Sequence, residues 1–219
     1  DEGDPILPAL HRIANGFIKK FVLADNLSSL GILSISTMPD ASVPLLWFGA
    51  LSQLLLVYLD FSGYCDIVIG IAMLMGFRLR ENFNRPFLST NIQVFWERWH
   101  ISLGQLLRDY VFNPLVKFSI QRFPRTLHFP LFVFVYFLTM VLVALWHGTT
   151  WGFLVFGLFH GLALVAYQIK QKWMRKSKTR HPAEPTVALR LSTLCARFGT
   201  YAFVSISLML WMGSERDWA

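Results

Sequence analysis

Residues 129 to 146 read FPLFVFVYFLTMVLVALW, an apolar run without a single charged side chain. Because about 20 such residues in a helix cross the hydrocarbon core of a bilayer, the run predicts a membrane-spanning helix. A second apolar run, residues 151 to 167, follows after the short link HGTT. The two runs therefore predict a helical hairpin with His147 at its turn.

Two further apolar runs extend this pattern toward both ends of the chain. From residue 43 to residue 77 the only charges are Asp60 and Asp66. That run is too long for one ordinary span, so it predicts one long kinked helix or two short helices with a break near Asp60–Gly63. A shorter run covers residues 198 to 212. We therefore expect an all-α, polytopic integral membrane protein with interfacial amphipathic helices and a buried histidine-containing core.

The composition agrees with a membrane protein. Hydrophobic residues make up 54% of the 219 residues and charged residues 15%, so the charged surface of a soluble domain cannot be assembled. The net charge is +7. The basic residues lie between the apolar runs rather than along one stripe, so nucleic acid is not expected as a partner. Residues 78–128 are predicted to form a basic interfacial segment and residues 168–197 a basic cytoplasmic loop. Anionic membrane lipids would bind both segments.

Two histidines are candidates for chemistry. The stretch QVFWERWHISLGQLLRDYVFNP, residues 93 to 114, has the spacing of one amphipathic helix at the membrane interface, and His100 on it could exchange protons near neutral pH. An ordinary interfacial helix with aromatic anchors is the alternative. His147 lies where two spans meet, and a polar side chain at membrane depth is a functional hypothesis by default. Its alternative role is to cap the end of the first span.

A structural role is favoured for His160, Asp60 and Asp66. His160 lies between Gly157 and Gly161, whose spacing lets another helix approach closely, so packing is its favoured role. Asp60 and Asp66 could belong to a proton or ion path, but ion pairing is favoured. The expected partners are the arginines that follow these acids, namely Arg78, Arg85 and Arg98. No metal site is expected, because the histidine spacing does not suit a helical chelate.

Two blocks of the sequence resemble one known family. They are DFSGYCDIVIGIAMLMGFRLRENFNRPFLSTNIQVFWERWHISLGQLLRDYVFNPL, residues 60–115, and LWHGTTWGFLVFGLFHG, residues 145–161. Both are similar to the membrane-bound O-acyltransferase family, in the bacterial branch of alginate O-acetyltransferases and D-alanyl transfer proteins. The resemblance implies that His147 and His100 are the catalytic residues. Three positions depart from the family's usual pattern: Glu97 replaces arginine, and Cys65 and Gly104 replace serines.

The resemblance implies a multi-pass protein of the cell (inner) membrane. It would move an acyl group, with acetyl favoured, from a cytoplasmic thioester to hydroxyls of an exported polysaccharide such as alginate. His147 would be the base, and His100 would orient the thioester or stabilise the oxyanion. No cofactor would be bound, and the co-substrate would be acyl-CoA or an acyl-carrier thioester. Further partners would be the polysaccharide acceptor, periplasmic acetyltransferase proteins and membrane lipids.

Residues 1–219 are expected to form a single membrane-bound O-acyltransferase core region. We expect it to be incomplete, because DEGDP lacks the basic start of a signal peptide and the chain stops just after an apolar run. The rival function is a transporter or channel component, in which Asp60, Asp66, His100 and His147 would line a proton or substrate path.

Overall fold

The computed structural model describes residues 6–29, 38, 40–176 and 187–213. Helices occupy most of these residues, and no strand occurs among them. In chain order the elements are α1 (Ile6–Phe17), a π-helical segment (Ile18–Ala24), α2 (Asp25–Ser29), α3 (Val43–Leu74), a 3-10 turn (Pro86–Leu88), α4 (Ile92–Arg98), α5 (Ile101–Leu107), a second π-helical segment (Arg108–Phe112), α6 (Asn113–Arg122), α7 (Arg125–His147), α8 (Trp151–Lys176) and α9 (Val187–Gly213). The predicted all-α class is confirmed.

Four of the described helices are long and apolar enough to cross a membrane. The four candidate spans are Val43–Leu74, Arg125–His147, Trp151–Met174 and Arg190–Met209. The second and third form the predicted hairpin, since α7 ends at His147 and α8 begins at Trp151. The prediction of a multi-pass membrane protein is therefore confirmed.

The chain divides into two compact units. One consists of Asp1–Asn84 with Val204–Met209, and the other of Arg85–Phe203 with Leu210–Ala219. In the first unit, α1 and the π-helical segment after it pack along α3. In the second unit, α7 packs against α8, α4 contacts α8, and α6 contacts α7.

Helix α3 is continuous through residues 60–63, so the alternative of one long helix is confirmed and the alternative of two short helices is wrong. The glycine at this point serves a close contact between helices. A Cβ atom on Gly63 would lie 2.8 Å from the Gly16 carbonyl oxygen, and one on Gly16 would lie 2.6 Å from the Gly63 oxygen. Two glycines thus let the backbones of α1 and α3 approach to a distance that any side chain would prevent.

The acids of α3 form ion pairs, as predicted, but their partners precede them in the sequence. Asp66 accepts hydrogen bonds from Arg12 Nε at 3.1 Å and from Lys19 Nζ at 2.6 Å, and Asp60 pairs with Lys20. The expected partners were arginines that follow the acids. The difference arises because α3 packs against the N-terminal helix, whose basic side chains reach the acids directly.

The hairpin of the second unit depends on two small residues of α8. A Cβ atom on Gly157 would lie 2.5 Å from the Ala144 Cβ atom, and one on Gly161 would lie 2.8 Å from the Phe137 ring. The close approach predicted from the spacing of these glycines is confirmed. It brings the backbones of α7 and α8 together along the hairpin.

The segment predicted as a basic loop over residues 168–197 is helical at both ends. Helix α8 continues to Lys176, and α9 begins at Val187, while residues 177–186 lie outside the described part of the chain. Both helices extend beyond the apolar residues from which the ends of the spans were predicted. The cytoplasmic location of this segment stays a prediction.

The contact between α1 and α3 generates a first prediction. Gly63→Ala should lower the free energy of unfolding by roughly 1–3 kcal/mol, because the added methyl group meets the backbone of α1. The matched control is Gly199→Ala on α9, since no atom of another described element lies within 4 Å of a Cβ placed there. Thermal unfolding of the detergent-solubilised protein measures both. Equal effects of the two substitutions would contradict the assigned contact.

The ion pairs generate a second prediction. Asp66→Asn should cost roughly 1.5–3 kcal/mol of unfolding free energy, because this carboxylate accepts hydrogen bonds from two cations and its side chain is only 15% exposed. Asp60→Asn should cost less than about 1 kcal/mol, because that pair is more exposed. Chemical denaturation at low and high salt compares the two variants. A larger loss for Asp60→Asn would overturn the ranking.

Candidate active site

His100 lies in a sharp break between α4 and α5. Trp99 is extended, and His100 has φ 45° and ψ 54°, in the left-handed region. The single amphipathic helix predicted over residues 93–114 is therefore wrong. A non-glycine residue in this conformation costs about 1–2 kcal/mol, and it persists only where the surrounding structure holds it. Such strained residues cluster at functional sites.

Each side of the break has its own helix start. The Asn91 side chain accepts a hydrogen bond from the Val94 N–H at 3.0 Å and caps α4. The His100 carbonyl accepts the Gly104 N–H at 3.0 Å and begins α5. Helix α4 has only seven residues, so it requires tertiary contacts for stability, whereas α5 continues directly into the π-helical segment and α6.

Two side-chain hydrogen bonds connect α4 to the long helix α8. Gln168 Nε2 donates to Gln93 Oε1 at 2.7 Å, and Trp96 Nε1 donates to His160 Nδ1 at 3.2 Å. Gln93 and Trp96 are three residues apart and therefore share one face of α4. That face is fixed against α8 just before the break at His100.

His147 is the last residue of α7, at the turn of the hairpin. Its ring stacks on that of Phe153 in the first turn of α8, with centroids 6.2 Å apart and planes within 4°. A Cβ atom on Gly148 would lie 2.3 Å from the Phe153 ring. The absence of a side chain at Gly148 therefore permits the turn that brings these two rings together.

The structure brings the two predicted catalytic histidines to one aromatic neighbour. The Trp146 ring lies 6.0 Å from that of His100 and 4.9 Å from that of His147, measured between centroids. His147 is also close enough to act electrostatically on His100. The break before α5 and the turn after α7 thus place both imidazoles at one site in the second unit.

The two imidazoles differ in their surroundings. Burial, with a smaller contribution from the nearby His147, lowers the pKa of His100 to about 4. His100 is therefore neutral at pH 7. His147 is more exposed than His100.

The buried histidine of the core is His160, which the sequence indicated as a packing residue. It is completely buried, with the Phe156 ring 4.2 Å and the Phe203 ring 5.2 Å from its own. Its hydrogen bond to Trp96 was not foreseen, because the two residues are 64 positions apart. No local sequence signal joins them.

A cavity of about 300 Å³ lies in the second unit, beside α4, α5, α7 and α8. Its walls are mainly apolar, with the Trp96 indole among them. The polar groups that line it come from Gln93, Glu97, Arg108, Tyr136 and Thr139. Gly104 also contributes to its wall. Sequence reasoning did not reveal this cavity, since the residues of α7 and α8 that line it are far in the sequence from those of α4 and α5.

The polar contacts of the site contain no arrangement for a metal ion. Among the described residues, no group of three histidine, cysteine or acidic side chains is placed to hold one. The chemistry that the described residues themselves offer is proton transfer and hydrogen bonding by imidazole.

Comparison with known proteins identifies the family. Residues 5–209 match the membrane-bound O-acyltransferase family, MBOAT. The chain belongs to this family. It is 42% identical over 154 residues to the probable alginate O-acetylase AlgI of Azotobacter vinelandii, which covers 68% of the chain and 28% of that protein.

Two other relatives match different shares of the chain. Identity to the teichoic acid D-alanyltransferase of Bacillus subtilis is 30% over 212 residues, covering 96% of the chain and 52% of that protein. Identity to the peptidoglycan O-acetyltransferase of Helicobacter pylori is 35% over 165 residues, covering 74% and 29%. The chain thus spans between about a quarter and a half of the length of these curated relatives.

The surroundings of His100 generate a third prediction. Its imidazole should remain neutral down to about pH 4. Between pH 6.5 and 4 the unfolded chain would carry a proton there that the folded chain lacks. The stability from this residue is therefore complete above pH 6.5 and is lost as the pH falls toward 4. Nuclear magnetic resonance of ¹³C-labelled histidines, assigned with His100→Gln, measures the titration. A pKa near 6.5 for this residue would contradict the prediction.

Proposed function

We propose that the chain is the catalytic part of a membrane O-acyltransferase that moves an acyl group, acetyl by preference, from a cytoplasmic thioester to hydroxyls of an exported polysaccharide such as alginate. The observation that carries the proposal is the meeting of His100 and His147 beside Trp146. Family membership over residues 5–209 and the acetyl-transferring names of several relatives support it.

His147 is the proposed general base. Its exposure leaves room for a hydroxyl group to approach the ring. The imidazole takes the hydroxyl proton while the oxygen attacks the thioester carbonyl carbon, and a tetrahedral oxyanion forms. Collapse of the oxyanion breaks the carbon–sulfur bond, and the leaving sulfur takes the proton back from the imidazolium. A positioned base of this kind supplies a rate factor of about 10² to 10⁴.

His100 is the proposed donor to the oxyanion or to the thioester carbonyl. A neutral imidazole carries one N–H donor and one acceptor nitrogen, and the lowered pKa keeps His100 in this form at pH 7. Its left-handed backbone, fixed between two helices, sets the direction of the ring. One preorganised donor at a developing oxyanion is worth about 3 kcal/mol of transition-state stabilisation.

The basic segment over residues 78–128 is the proposed cytoplasmic docking face for the donor. In the second unit its exposed cations are Arg85, Arg108, Lys117, Arg122 and Arg125. Acetyl-CoA carries phosphates, and acyl-carrier proteins are acidic, so either donor would be attracted. Anionic lipids of the inner membrane would compete for the same charges. Periplasmic acetyltransferase proteins are the proposed partners on the opposite side.

The ion pairs of the first unit favour acyl transfer over a transport path. A proton path needs acids that can bind and release protons. Asp60 and Asp66 instead pair with Lys20, Lys19 and Arg12. This arrangement suits helix packing more than proton conduction.

The proposal yields a fourth prediction, tested in membranes that contain the full-length protein. His147→Ala should lower transfer of radiolabelled acetyl from acetyl-CoA to polysaccharide by about 10² to 10⁴-fold, and His100→Ala by about 10²-fold. The matched control is His11→Ala, since His11 is exposed on α1 in the other unit. Retained transfer in both active-site variants would overturn the site. If the wild-type protein transferred no label to the polysaccharide from any acyl donor tested, the function itself would be overturned.

A further inference from the structure

We propose that His160 is a positioning residue for the reaction at His100, acting through its hydrogen bond to Trp96. The inference rests on the proposed function, because it names a further residue that the same reaction requires. It begins from a side-chain hydrogen bond that joins a completely buried histidine to the wall of the cavity.

The chemistry of the two rings fixes the proton on His160. An indole N–H can only donate, so the Nδ1 atom that lies 3.2 Å from it must accept. The imidazole is therefore neutral, with its proton on Nε2. Protonation of Nδ1 would place two donors face to face and would break the contact. The bond thus defines a single tautomer.

The acceptor, His160, is completely buried on α8. His160 is enclosed by the rings of Phe156 and Phe203. Its neighbour Gly161 brings α8 into close contact with α7. A completely buried side chain in close-packed surroundings has little freedom to move. His160 therefore offers the Trp96 indole a fixed point.

The donor, Trp96, lies on the short helix α4. Helix α4 has seven residues, and a helix of this length is not stable without tertiary contacts. Trp96 is four residues before His100, on the last turn of α4, and its indole is part of the cavity wall. Because His100 holds a strained backbone conformation, its ring keeps its direction only while α4 is fixed. The Trp96–His160 bond provides that restraint together with the Gln168–Gln93 bond.

A simpler role would be the mutual satisfaction of two polar groups, which every buried histidine and tryptophan needs. That role predicts a change in stability alone. Positioning predicts a change in turnover that depends on where the acceptor atom lies. Asparagine and glutamine at position 160 separate the two roles, because the asparagine oxygen lies near the former Nδ1 position and the glutamine oxygen nearer the former Nε2 position.

The fifth prediction follows from this difference, again in membranes that contain the full-length protein. His160→Gln and Trp96→Phe should each lower kcat for acetyl transfer by about tenfold with little change in KM, whereas His160→Asn should stay within about twofold of wild type. The double variant W96F/H160Q should be no slower than either single variant, because both remove the same bond. Trp173→Phe and His11→Gln are the matched controls, since both residues are exposed.

The outcomes are distinct. Rescue by asparagine together with non-additive losses supports the inference. Equal kcat losses in His160→Asn and His160→Gln, losses that multiply in the double variant, or unchanged kcat in Trp96→Phe would overturn it while wild-type transfer persists. Because Trp96→Phe leaves position 160 intact, the test survives a variant of His160 that fails to accumulate. Absence of wild-type transfer would instead remove the proposed function, and the inference with it.

Discussion

The contact of α7 with α8 at Gly157 and Gly161 is the constraint on which the second unit depends. Lipid tails are as apolar as leucine, so helices in a bilayer associate through close packing and hydrogen bonds rather than through release of water. At both glycines a single added methyl group would overlap atoms of α7. The spacing between the two helices is thereby set. This spacing fixes the turn that carries His147 and gives α8 the rigidity to hold other elements.

From α8 the restraint extends to His100. Gln168 and His160 bind the same face of α4, and the break that follows places the His100 ring beside Trp146. No short helix could impose a left-handed histidine by itself, since the conformation is unfavourable and seven residues form few hydrogen bonds. The geometry at His100 is therefore a tertiary property, produced by hydrogen bonds that span more than sixty residues of sequence.

Local pattern was sufficient for the apolar spans, for the hairpin and for the role of Gly157 and Gly161. It left a break near Gly63 open and failed at His100, for opposite reasons. Near Gly63 the sequence offered polar residues and a glycine, yet the helix continues, because a glycine that admits a neighbouring helix looks the same as one that ends a helix. At His100 no glycine or proline marks the break. His100 and His147 were candidates from their positions beside apolar runs, and the resemblance implied their catalytic role. The cavity and the Trp96–His160 bond could not be predicted, because they join segments far apart in the sequence.

The polar side chains of the first unit form ion pairs, whereas the histidines His100 and His160 of the second unit are neutral, and this difference bears on function. In the first unit, cations and carboxylates form ion pairs, and each pair fixes the position of both side chains. In the second unit, His100 is neutral because its ring is partly buried, and His160 is neutral because its Nδ1 atom accepts a hydrogen bond. A neutral imidazole can accept a proton from one group and return it to another without separating an existing ion pair. Chemistry that moves a proton from a hydroxyl to a leaving thiolate therefore suits an accessible imidazole of the second unit, as proposed for His147, and the acids of the first unit serve the packing of α1 against α3.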